Sequence, residues 1–162
     1  MSGLLFQYDY NRSVALYVCP GDKSKVRNLD GSTMPATRTR SYSMNGLWGG
    51  RTSEKQAVIN KVSEALTPES TFVLIDENED SIDDAHFLVW PAPDKRWVNM
   101  PAGRHGQSGI LSFADGHVEK WQWLSAKSFR NSDLDNYWKN AQPGADQKDL
   151  ERLQLATIPP FQ

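Results

Sequence analysis

The pair Asp115-Gly116, set between two apolar runs, constrains this chain more than any other short segment. A two-residue Asp-Gly loop predicts a β-hairpin, because both positions of a type I′ turn need positive φ. Its arms run from Gly109 to Ala114 and from His117 to Trp123. Pairing across that turn sets Ala114 opposite His117, Phe113 opposite Val118, Ser112 opposite Glu119 and Leu111 opposite Lys120. Side chains alternate faces along a strand. Leu111, Phe113 and Val118 then share an apolar face. Ser112, Ala114, His117 and Glu119 share the other, and its polar end gathers His117, Glu119 and Asp115.

The rest of the chain predicts an α+β domain spanning residues 1–162. It combines a small antiparallel sheet with one or two helices. Ala15 to Cys19 reads as a strand ended by Pro20-Gly21. Residues 21–51 read as a long loop holding one extended piece, Arg40 to Asn45. Ser53 to Leu66 reads as a helix, with Ser53 and Gln56 as a capping box. Val58, Ile59, Val62, Ala65 and Leu66 form its apolar stripe. Thr67-Pro68 ends it. Thr71 to Ile75 and His86 to Trp90 are further strands. A short helix from Asp146 to Ala156 turns Leu150 and Leu153 inward.

The net charge of −2 argues against broad electrostatic binding of nucleic acid. Basic residues gather between Arg12 and Arg51 and acids between Asp76 and Asp84, which describes a dipolar surface. Cys19 is the only cysteine, so no intrachain disulfide forms. The longest apolar run, Val14 to Cys19, falls far short of the roughly 18–20 residues that span a membrane. No basic segment followed by a long apolar one opens the sequence, so neither export nor anchoring is expected of it as it stands.

Four segments in order carry a resemblance. Tyr17-Val18-Cys19-Pro20-Gly21-Asp22 looks like a Cys-Pro-x-Asp segment, and Ser41-Tyr42-Ser43-Met44-Asn45 like a Ser-Tyr-x-x-Asn segment. Thr71 to Glu77 looks like a strand entering an acidic loop. Arg104-His105-Gly106, then nine residues from His105 to Asp115-Gly116, resembles the H-x9-DG segment. Together they resemble bacterial envelope proteins with a prepilin-type N-terminus, the type II secretion pseudopilins and type IV pilin-like proteins. The resemblance implies a pilin-like soluble domain, protein partners in a secretion or pilus apparatus, and the periplasmic face of the inner membrane. The hydrophobic N-terminal helix of that family has no counterpart here, which weighs against assembly by the usual helix packing.

Candidate sites follow from residue chemistry. The run from Asp76 to Asp84 holds six carboxylates, a density that repels itself unless it is solvated or bound to a cation. Asp76, Asn78 and Asp80 share the first spacings of an EF-hand loop. Ser81 and Phe87 stand where that loop needs Gly and Glu. Calcium held by Asp76, Asn78, Asp80, Asp83 and Asp84 is weighed against a solvated loop. The resemblance adds weight to calcium, because some pseudopilins bind it in a loop.

His105, His117, Asp115 and Glu119 offer N and O ligands for a transition metal, with zinc the second choice of cation. The simpler role for His105 is a hydrogen bond to Asp115 that fixes the loop. Ser108 in Gly106-Gln107-Ser108-Gly109 misses the nucleophile-elbow pattern by one place. Cys19 reads as buried packing, because no base for it is visible.

Three functions compete. The first is a non-enzymatic pilin-like domain that binds or assembles. The second is a metal-dependent hydrolase of small esters or lactones, with His105, His117 and Asp115 as its catalytic group. The third is a carbohydrate-binding module built on the six tryptophans.

Overall fold

Short runs of β-branched, aromatic and aliphatic residues build the sheet, as their fit to a half-buried pleated surface requires. The computed structural model describes residues 13–49 apart from 27, 29, 31 and 37, then 58–126 and 139–157. Five strands form the main sheet: β1 (Tyr42–Asn45), β2 (Phe72–Asp76), β3 (His86–Phe87), β5 (Ser108–Phe113) and β6 (Val118–Gln122). Their order is β3-β1-β2-β5-β6. A separate ribbon pairs β4 (Arg96–Trp97) with β7 (Lys139–Asn140). The helix α1 (Ala145–Leu155) follows.

The expected α+β class and the C-terminal helix hold, but the sheet is mixed. β1 pairs antiparallel with β2, whereas β1 and β3 run parallel. A purely antiparallel sheet is therefore corrected. Residues 77–85 form a loop that leaves the end of β2 and delivers β3 to the far side of β1.

The predicted helix over 53–66 does not form in its described part. Ile59 makes a parallel bridge with Trp48, and its amide donates to the Leu47 carbonyl at 2.8 Å. Only a 3-10 turn, Val62–Glu64, remains. Val62 and Leu66 are exposed, so the apolar stripe was not a buried face. Backbone pairing at one buried β-branched residue overrode the periodicity. Ser53 and Gln56 lie outside the described residues. The strand expected over 15–19 is likewise a 3-10 turn, Val14–Tyr17.

The hairpin exists, with its register one residue away from expectation. Ser112 pairs with Val118, Leu111 with Glu119 and Ile110 with Lys120. The loop has three residues, Ala114, Asp115 and Gly116. Phe113 and His117 close it, the Phe113 amide donating to the His117 carbonyl at 2.9 Å. Gly116 alone among the three has positive φ, at 96°. That is the three-residue hairpin with a glycine at its last position, not the type I′ turn. One residue of slip exchanges the faces of one arm. His117 therefore stacks on Phe113, with ring centroids 4.4 Å apart, and Val118 joins the outer face, where it is exposed.

One cluster of buried apolar residues holds these elements together. It draws Phe72 and Ile75 from β2, Leu111 and Phe113 from β5, Trp121 from β6, and Leu150 and Leu153 from α1. Asp149 caps the hairpin's exit by accepting from the amides of Leu124 and Ser125, each at 3.0 Å. Among the described residues no helix is long and apolar enough to cross a membrane.

Candidate functional site

Successive residues of a strand point to opposite faces, and β2 uses this at its end. Asp76 and Glu77, adjacent carboxylates with no exposed surface, enter two different environments. Asp76 lies across from Tyr42. Its Oδ1 accepts from Arg104 Nη2, and its Oδ2 lies 3.3 Å from His105 Nε2. Glu77 accepts instead from the hydroxyls of Ser43 and Ser81 and from Asn99 Nδ2.

Arg104 is the charge centre. Its Nη1 donates to Glu79 at 2.9 Å and lies 3.7 Å from Asp22, while Nη2 also donates to the Glu77 carbonyl at 2.7 Å. Burial works against its charge, but Asp76, Asp22 and Glu79 outweigh burial and hold its pKa above the ordinary value. Burial has the larger effect on Asp76, whose pKa is raised although Arg104 and His105 oppose the rise. Asp22 goes the other way. Hydrogen bonds from Ser24 and Ser41, with Arg104 nearby, overcome burial and lower it. Burial alone outweighs three hydrogen bonds at Glu77 and pushes it up to about 8.

Ser41 joins the loops. Its hydroxyl donates to Asp22 at 2.7 Å and accepts from the Cys19 amide at 3.1 Å. Its own amide donates to the Tyr17 carbonyl, and its carbonyl accepts from the Glu77 amide. Asn45, at the end of the same segment, donates to the carbonyls of Phe72 and Thr157, each at 3.0 Å.

Cys19 completes the cluster. Its Sγ lies 3.4 Å from His105 Nε2. Gly106 and Gln107 both take positive φ, at 68° and 57°, in the turn that follows His105 and leads into β5. Among the described residues, Cys19, Asp76 and His105 form the one group of three Cys, His, Asp or Glu side chains whose ligand atoms all lie within 4.8 Å of one another. Tyr42 lies beside it, its phenol pushed up to about 12 by burial, with Cys19 and Asp76 adding to the effect.

The sequence-predicted sites fare differently. His105 does not bond Asp115. The two stand at opposite ends of β5, roughly 20 Å of strand apart. Asp115 instead contacts His117 Nδ1 at 2.6 Å and accepts from its amide at 3.1 Å. The side-chain contact with Asp115 raises the His117 pKa, while the His117 amide, and then its ring, lower that of Asp115. His105 therefore stands apart from His117 and Asp115, and Glu119 lies beside His117, at 3.4 Å.

The five residues proposed for calcium are also divided. Asp76 turns inward to Arg104, and Asn78 Oδ1 accepts from the Asp80 amide. Asp83 and Asp84 accept from the local amides of Asp84 and His86. Ser108 is buried, and its hydroxyl donates to Gln122 Oε1 at 2.8 Å with the Gly106 carbonyl 3.3 Å away. Trp97, Trp121 and Trp123 are core residues, while Trp48 and Trp90 are half-buried. Trp138 lies outside the described residues.

The Cys19–His105 contact escaped sequence reasoning because 86 residues separate the pair. The order of the four motif segments was the available signal, since each contributes a side chain to this one cluster. No protein-family model, curated protein or solved structure matches the chain.

Proposed function

We propose that this chain is a pilin-like, non-catalytic domain of the bacterial envelope that works by binding and assembling with other proteins. One observation carries the reading. The four segments that suggested the family, separated by tens of residues, place Cys19, Asp22, Ser41, Asp76, Arg104 and His105 in a single, largely buried network. Such a network explains the motif as architecture, because most of its polar atoms are engaged with one another. A shallow hollow of about 360 Å³ beside it presents Glu79 and Arg104, which are already paired.

The outer face of the sheet supports the binding role. Met44, Leu74, Ser112 and Val118 lie in one row across four strands, with Leu74 36% and Val118 62% exposed. A partly exposed row with three apolar members, Met44, Leu74 and Val118, suits a protein contact. A photo-crosslinking residue at Val118, introduced into the chain in its own host, tests the reading. The expected result is a discrete adduct with a pilin-like subunit. No adduct from either Val118 or Leu74, together with chelator-sensitive ester or lactone hydrolysis, would replace it with the hydrolase reading.

A further inference from the structure

Asp76 poses a problem that its neighbours leave unsolved. Its side chain has no exposed surface and one oxygen is bound by Arg104, yet Oδ2 has no hydrogen-bond partner. The nearby His105 Nε2, at 3.3 Å, makes no hydrogen bond to it. A buried acceptor left unmatched is costly. This oxygen belongs to the same small group as a thiol and an imidazole nitrogen.

Two of the three separations match a metal coordination shell. Tetrahedral zinc with ordinary Zn–S, Zn–N and Zn–O bonds gives edges of about 3.6 Å between S and N and about 3.3 Å between N and O. The observed edges are 3.4 Å for Cys19 Sγ to His105 Nε2 and 3.3 Å for His105 Nε2 to Asp76 Oδ2. The remaining pair, sulfur and carboxylate, lies within 4.8 Å.

We propose that Cys19, Asp76 and His105 form a binding site for a divalent transition metal of the zinc class, with water as the fourth ligand. The donor set selects against calcium, which takes oxygen ligands only. His105 keeps 31% of its side chain exposed, which leaves solvent a route to the fourth position. Binding sends the Cys19 thiol proton to solvent and uses the lone pair of a neutral His105 Nε2. The thiolate and the Asp76 carboxylate then balance the ion's two charges. Arg104 on Oδ1 and the Cys19 amide on Ser41 orient two of the ligands from outside, as second-shell partners do.

The test uses the full chain, stripped with chelator and titrated with zinc, and with cobalt as a coloured substitute. One ion per chain is expected, with a thiolate-to-cobalt charge-transfer band. Cys19→Ser should abolish that band. His105→Ala should weaken zinc binding at least about 100-fold, since loss of an outer partner alone costs roughly 10–100-fold, while His117→Ala should leave it unchanged. X-ray absorption on the zinc-loaded unsubstituted chain needs no variant to fold, and should show one sulfur at about 2.3 Å. A zinc shell without sulfur, the absence of stoichiometric binding, or equal binding by His105→Ala would overturn the proposal.

Discussion

A carboxyl group with no exposed surface must find a cation or keep its proton. Asp76 has Arg104, whereas Glu77 is surrounded by hydroxyls and an amide, and burial pushes it up to about 8 from an ordinary 4.5. The folded pKa is the higher one, so the stability this acid contributes is complete below about 4.5 and is lost as pH rises through about 8. Glu77→Gln, a mimic of the protonated acid, should match the unsubstituted chain below about pH 4.5 and pull ahead of it as pH rises from there. Above about pH 8 it should be the more stable by something on the order of a few kcal/mol. Thermal unfolding across that range checks this, and parallel profiles for the two proteins would refute it. The sequence showed both acids but grouped them in one solvated loop. The alternation of the strand that separates them extends one residue further than the apolar run revealed. Cys19 was legible as buried and illegible as a ligand, because its partners arrive from β2 and from the turn before β5.

At the scale of elements, the hairpin was foreseen from Asp115-Gly116 and its register was not. A two-residue and a three-residue loop can share the same Asp-Gly pair, and the choice is made by backbone bonds. Here the amides of Ala114 and Asp115 donate to the carbonyls of Thr71 and Pro68, which hold the loop against the chain entering β2. Two glycines of this hairpin should respond differently. A methyl group on Gly116 meets open space, so Gly116→Ala suffers backbone strain alone, about 1 kcal/mol. A methyl on Gly109 would sit 3.1 Å from the Ala102 carbonyl oxygen and from the Trp123 ring. Gly109→Ala should therefore cost more, about 1–3 kcal/mol from overpacking. Urea denaturation of the two variants compares them, and a larger loss at Gly116 would contradict the packing described. The failed helix near Ile59 teaches the complementary point. Its spacing was helical, but one buried bridge to Trp48 was worth more than a stripe that ends at exposed Val62 and Leu66.

At the scale of the whole molecule, long-range polar stitches connect what the apolar core brings together. Asn45 reaches Thr157, Gln154 donates to the carbonyls of Trp90 and Asp94, and Asp149 receives the chain leaving β6. Composition and periodicity gave the α+β class and the C-terminal helix. They could not give the parallel β1–β3 pairing, which depends on where the 77–85 loop returns. The four motif segments are clamped together by one network around Arg104. A double-mutant cycle with Asp76→Asn and Arg104→Gln, measured by chemical denaturation in the presence of chelator, tests it most directly. Each single change should cost about 3–5 kcal/mol, as loss of one partner of a buried pair does. The pair should show a coupling of about 1–3 kcal/mol. Single effects that add to within about 0.5 kcal/mol would mean that the two residues act independently, and would contradict the clamp.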